Sequence, residues 1–321
     1  MTPEQQEQRW VGERAARWSE LEALLARADG NVRRLAGDDV ERLPAAMREL
    51  AADLVRARSR RMSASVVARL EAATARAHVL LYGARRQRIG TFVEFVLLEG
   101  PRAVRRSAAF VWVATALFVV PLLVSLVGTL TVDGFAQSVL SPQLLGQMER
   151  AYAEGFSGRT AGESSAMTGF YVKNNVGIAF RCFATGVLFG LGTVFFLIYN
   201  GVVIGGVLGW VIRSGHGENI VTFVSGHGSF ELTAIVLSGA AGLRMGWALL
   251  RPGTRSRLGA LQAQVPDLVP IVVTAAAMLL VAAGIEAWWS PSTVAAPVKW
   301  GVAATLWVSV IAWLSLAGRT R

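Results

Sequence analysis

Long apolar runs occupy only the last two-thirds of the chain. From Ala108 onward, stretches of Val, Leu, Ile, Phe and Ala alternate with short polar breaks. Ala108–Gly128, Val176–Tyr199, Phe230–Leu250, Leu268–Trp288 and Trp300–Leu316 each approach the ~20 residues a helix needs to cross a bilayer. Val202–Ile212 is apolar but shorter. Before residue 90 the pattern changes. Trp18, Leu21, Leu25 and Ala28 recur at spacings of three and four. So do Val40, Leu43, Met47, Leu50 and Leu54, and then Val66, Leu70, Ala73, Ala77 and Leu80. That period predicts amphipathic helices. Asp38 or Asp39, after Gly37, fits a helix cap, and Ser59 to Ser63 fits a break.

The expected fold class is all-α: a polytopic transmembrane helical bundle preceded by a cytosolic helical hairpin or three-helix bundle. The expected domains are 1–90 (cytosolic helices), 91–106 (interfacial helix and linker) and 107–321 (membrane region with an extracytoplasmic loop at 130–173). Residues 89–99, IGTFVEFVLLE, are too short to span. They lie between Arg85, Arg86 and Arg88 on one side and Arg102, Arg105 and Arg106 on the other. A short apolar helix between basic clusters suits contact with anionic lipid headgroups.

Composition supports the membrane class. Hydrophobic residues make up 53% of the 321, and mean hydropathy is +0.44. A soluble domain rarely reaches such values. The single cysteine, Cys182, excludes an internal disulfide and a cysteine-rich metal site. The first long apolar run begins too late for a signal peptide.

Formal net charge is +10, which in this context reads as topology before nucleic-acid binding. Residues 1–106 hold 20 Arg against 14 acids. The loop 130–173 has a net charge of −1, and Arg251, Arg255 and Arg257 follow the third long run. The positive-inside rule then places both termini in the cytoplasm and the 130–173 loop outside. This parity needs six spans, with the short segment 202–212 crossing as well. The expected location is the bacterial cytoplasmic (inner) membrane, with multiple passes. Glu286 and Lys299, beside Trp288, Trp289 and Trp300, are expected to pair at the outer interface.

Polar groups inside apolar spans are expensive and mark function. They are Asn174, Asn175, Arg181, Asn200, His227 and Glu231. His227 and Glu231 stand four apart on one helical face. Arg181 and Glu231 fall at similar depth in spans of the same direction, which predicts an ion pair with Asn175 and His227 as neighbours. Gly186 and Gly190 are four apart, as are Gly201, Gly205 and Gly209, and Gly242 and Gly246. Small residues at this spacing let helices approach closely. Asn200-Gly201 is a turn signal and predicts a tight hairpin tip.

These residues carry a resemblance. Asn174-Asn175, Phe183 through Gly186, Gly190, Asn200-Gly201, His227-Gly228-Ser229-Phe230-Glu231-Leu232 and Ala241-Gly242-Leu243 resemble the stage II sporulation protein M family of bacterial integral membrane proteins. Gly100-Pro101 to Arg105 fits too, and the likeness spans roughly residues 92–318. It implies an anchor for a complex that remodels peptidoglycan.

The expected function is a membrane scaffold in a cell-envelope complex, not an enzyme, and without cofactor or resident metal. Its expected partners are other membrane or envelope proteins and anionic lipids, with no nucleic acid; a homo-oligomer stays open. A lipid or small-molecule transporter is the alternative, since charges beside a glycine-broken span resemble a translocation site. An intramembrane hydrolase using His216, His227 and Glu231 as metal ligands is the remaining reading.

Overall fold

The computed structural model describes residues 2–28, 34–82, 89–156 and 158–319. Among them there are helices and connecting turns but no strand. The chain divides into two compact units, Met1–Arg88 and Ile89–Arg321.

In the first unit, α1 (Pro3–Ala28), α2 (Gly37–Ser59) and α3 (Ala64–Tyr82) share one core. The three- and four-residue spacing puts Trp18, Leu21, Leu25, Leu43, Leu50, Leu70 and Ala77 on its inner faces. Asp53 is buried there, and burial is tolerated because its carboxylate is filled. Trp18 Nε1 donates to Oδ2 at 3.1 Å and Arg14 Nε to Oδ1 at 3.0 Å. Arg69 ties α3 to α1 with two 2.8 Å bonds to Glu22. Neither Asp38 nor Asp39 caps α2; they occupy its first turn, where the positive helix end favours acids.

The second unit begins with α4 (Ile89–Glu94), a π-helical turn (Phe95–Glu99) and α5 (Gly100–Arg106). This departs from the interfacial helix expected over 91–106. Phe92, Val93 and Leu97 are exposed, but Gly100, Pro101, Ala103 and Val104 turn into the unit. Ala103 and Val104 pack with Met245, Leu268 and Ile271. Gly100 permits this, because a side chain there would collide with Thr274.

Then follow α6 (Ala108–Thr131), α7 (Phe135–Val139), α8 (Pro142–Ala153), α9 (Ala161–Ala184), α10 (Leu191–Val211), α11 (Gly217–Leu250), α12 (Arg257–Gln262), α13 (Val265–Gly284) and α14 (Ala296–Leu316). Four helical stretches are long and apolar enough to cross a membrane: 108–131, 191–250, 265–289 and 296–316. The stretch 191–250 is not one rod. Gly215 has φ of 90°, and the chain folds back there. Gly239 meets Leu197 and Gly242 meets Thr193, so α10 and α11 are antiparallel.

Two expectations fail here for a local reason. The single span expected over Val176–Tyr199 is broken at Thr185–Gly190, where Phe189 and Gly190 take φ of 53° and 83°. Asn200-Gly201, expected as a hairpin tip, lies inside α10. Asn200 Nδ2 donates to Phe196 O at 2.7 Å, so the amide is satisfied within its own helix. Gly201 is used for packing instead. The segment 202–212 looked short because its helix starts at Leu191; α10 is about 31 Å long at 1.5 Å per residue.

Glycines set the closest contacts. A Cβ at Gly201 would strike the Phe118 carbonyl, at Gly205 the Leu122 carbonyl, and at Gly209 Thr129. Positions rise together on both helices, so α6 and α10 run parallel with their backbones nearly touching. Gly186 abuts Gly242 and Gly246 abuts Gly190, which holds the α9 end against α11. Gly228 has open space around it and makes no such contact.

Gly205→Leu should therefore destabilise the protein by about 1–3 kcal/mol or more, since neither backbone can move aside. Gly301→Ala, at a position with nothing within 4 Å, should stay within about 0.5 kcal/mol of the parent. Thermal unfolding of the two purified variants in detergent measures the difference.

Candidate functional site

The two ends of the second unit differ in chemistry. At one end, arginines are spent on protein partners. Arg106 Nε donates to Asp267 at 2.6 Å and its Nη2 to Glu99 at 2.9 Å. Arg244 also bonds Asp267, and it reaches Gln264 at 2.8 Å. Arg105 donates to Leu314 O at 2.8 Å and Ala317 O at 2.7 Å, closing the carbonyl end of α14. Arg102 reaches Gly318 O at 2.8 Å. Arg102, Arg105 and Arg106, expected to face lipid headgroups, thus direct these donors to the chain itself. Arg85, Arg86 and Arg88 lie outside the described residues.

The opposite end holds the buried polar groups. Asp267 and Glu286 are separated by about 28 Å of helix at 1.5 Å per residue. That separation is close to the ~30 Å thickness of a bilayer's hydrocarbon layer. Glu286 occupies a π-helical turn, Ile285–Trp289, at the end of α13. Such turns widen a helix locally and recur at functional sites.

His227 and Glu231 project from α11 towards Glu286. His227 Nδ1 lies 3.1 Å from Ser290 Oγ, and Nε2 lies 3.7 Å from Glu231 Oε2. Asn175, from α9, donates Nδ2–H to Glu286 Oε2 at 3.4 Å, and its own Oδ1 accepts from Asn174 at 2.9 Å. One nitrogen of His227 and one oxygen each of Glu231 and Glu286 all fall within 4.8 Å of one another. His227, Glu286 and Asn175 are buried. Among the described residues, neither carboxylate has Lys or Arg within ion-pair distance.

Aromatic rings from α11, from α8 and from the loop after it pack beside this cluster. Phe223 meets His227 edge-on with centroids 5.6 Å apart, and Phe156 stacks on Phe223 at 4.7 Å. Tyr152 of α8 packs with both phenylalanines. Burial, and next the nearby Glu286 carboxylate, push its phenol above the ordinary value, so Tyr152 stays neutral.

Three expectations change. Arg181 does not pair with Glu231. Its Nε bonds Gly177 O of its own helix at 3.1 Å, and the side chain is exposed. Matched depth was insufficient, because the two side chains point to different faces. Lys299 does not pair with Glu286; its Nζ donates to Ser290 O at 2.7 Å and Ser292 O at 2.8 Å. His216 lies in the fold-back turn, about 16 Å along the axis from His227. It does not belong to the group with His227 and Glu231. Glu286 and Ser290 were missed as partners. The available signal was a carboxylate near the end of the apolar run Leu268–Trp288.

Asn175→Leu should cost about 1–3 kcal/mol, because it strips the amide donor from buried Glu286. Arg181→Leu should change stability by no more than about 0.5 kcal/mol. Combining Arg181→Leu with Glu231→Leu should give additive effects, as for residues without a shared contact. Denaturation of the variants in one detergent checks all of these.

Comparison with known proteins supplies the family. The model described as Stage II sporulation protein M matches residues 106–291. A second, described as Domain of unknown function (DUF8413), matches residues 8–83. The chain is similar to an uncharacterized protein of Methanocaldococcus jannaschii. The two are 25% identical over 122 residues, covering 37% of this chain and 68% of the relative. No solved structure matches the chain. The first match covers more than half the chain, and within it lie Asn175, His227, Glu231, Glu286 and the glycine contacts. The chain is a membrane protein belonging to the stage II sporulation protein M family.

Proposed function

We propose that this protein is an integral membrane anchor for a cell-envelope complex, related to the family's part in peptidoglycan remodelling. The observation that carries the reading is the backbone contact of α6 with α10 along Gly201, Gly205 and Gly209. Helices locked this closely make a rigid body suited to holding partners in place. A lipid-side cleft of about 290 Å³, lined by Leu97, Phe230, Met278, Val281, Val310 and Trp313, offers a seat for an apolar side chain of a partner helix. No chemical step is assigned to the protein in this reading.

The protein crosses the bacterial inner membrane six times, through α6, α9, α10, α11, α13 and α14. The alternating directions of these helices support that count. The arginine-rich end faces the cytoplasm, by the positive-inside rule. Both termini lie there, and α1 to α3 form a cytosolic three-helix unit that docks partners. Residues 130–173 lie outside. Anionic headgroups meet the basic end, and copies of the chain can associate through the exposed apolar faces.

A transporter of lipid or small molecules is the second reading. The observation in its favour is the group of buried His227, half-buried Glu231 and buried Glu286 at membrane depth.

Topology is tested by cysteine labelling in a Cys182→Ala background. Arg60→Cys should be shielded from an impermeant reagent in intact cells, and Gly155→Cys should react. The reverse pattern would overturn the orientation. Function is tested by purification from mild detergent with and without residues 1–88. The anchor reading expects a stoichiometric set of envelope proteins that depends on the intact chain. A bound lipid or small molecule with no protein partner would favour transport.

A further inference from the structure

We propose that His227, Glu231 and Glu286 form a binding site for one divalent transition-metal ion of the zinc class. Three observations converge on it, and none depends on the anchor reading.

The first is geometry. Three ligand-type atoms, from α11 and from the π-helical turn after α13, lie within 4.8 Å of one another. Bonds of about 2.1 Å at tetrahedral angles put ligand atoms about 3.4 Å apart. The His227–Glu231 separation of 3.7 Å already approaches this value. It is too long for a hydrogen bond. Small rotations of the two flexible Glu side chains complete the set. Three protein ligands leave a fourth position for water or an oxygen ligand from a partner.

The second is charge. The two carboxylates lie close together beside Asn175 and Ser290, with no Lys or Arg within ion-pair distance among the described residues; Arg159, which reaches the Tyr171 hydroxyl at 3.4 Å, acts on Glu286 only from farther away. A divalent cation cancels both charges at once and removes the penalty for burying them.

The third is the arrangement of the outer partners. His227 Nδ1 is engaged by Ser290 Oγ, which leaves Nε2 aimed at the carboxylates without a hydrogen bond. A His buried to this degree, with its second nitrogen held by a neighbour, is the usual state of a metal-bound imidazole. Asn175 holds Glu286 in the same way. The mixed nitrogen and oxygen donors suit Zn²⁺, whereas Mg²⁺ and Ca²⁺ require a fuller oxygen shell.

The test uses the full chain without a histidine tag, stripped with a chelator in detergent. It is then titrated with Zn²⁺, with Mg²⁺ or Ca²⁺ as controls. Elemental analysis should find one Zn²⁺ per chain, and Zn²⁺ alone should raise the melting temperature. X-ray absorption should show only nitrogen and oxygen neighbours at about 2.0–2.2 Å. Glu286→Gln and His227→Gln should each weaken binding at least 100-fold. Asn175→Leu should weaken it about 10- to 100-fold, as loss of an outer partner does. His216→Gln and Arg181→Leu should leave it unchanged. Absence of Zn²⁺ binding by the stripped parent would overturn the proposal. Unchanged binding in folded Glu286→Gln, or a sulfur neighbour implicating Cys182, would also overturn it. Where a variant fails to fold, the stoichiometry and spectrum of the parent decide.

Discussion

Close approach of helix backbones is the constraint on which the second unit depends. Between lipid and protein there is little hydrophobic gain from burying one more leucine, so helix association rests on packing and polar contacts. Gly201, Gly205 and Gly209 provide that packing against α6, while Gly242 and Gly246 do so against the end of α9. Once these seams are set, the remaining helices have restricted positions. Serine and threonine exploit the short distances: Ser125 Oγ donates to Val202 O at 2.8 Å, and Thr193 Oγ1 to Cys182 O at 2.7 Å.

The same packing decides where polar groups can survive. At one end, Asp267 gathers Arg106 and Arg244, while Arg105 closes the last carbonyls of α14. At the other, the carboxylates of Glu231 and Glu286 gather around His227 with Asn175 and Ser290 outside them. The first cluster mixes opposite charges, with Asp267 and Glu99 offsetting part of its arginine charge. The second pairs two acids with an imidazole, and neutrality there requires protons or a cation. That contrast makes the second cluster the chemically informative part of the molecule.

Expectations from spacing fared differently by type. The stripes through Trp18, Leu43 and Leu70 are inner faces of helices, because a period near 3.6 specifies a face without reference to neighbours. The polar residues His227 and Glu231 are in one cluster because four residues return to one side of α11. Arg181 is absent from it, and Glu286 is present. Whether side chains on separate helices meet depends on the rotation of each helix about its own axis, and depth alone does not contain that angle. Asn200-Gly201 shows a related limit: its turn propensity is overridden where the asparagine bonds its own helix and the glycine meets α6.

The sequence by itself determined the helical class, the apolar stretches, the asymmetry of charge and the residues that lipid would reject. These follow from composition and from local period, which are properties of a single segment. Only the tertiary structure decided that the chain breaks at Gly190 rather than at Gly201. Tertiary structure likewise decided that Arg105 serves α14, and that Glu286 joins His227 and Glu231. Each of these depends on which faces of distant segments come together, and that is set by the fit of glycine-lined backbones after the helices have formed.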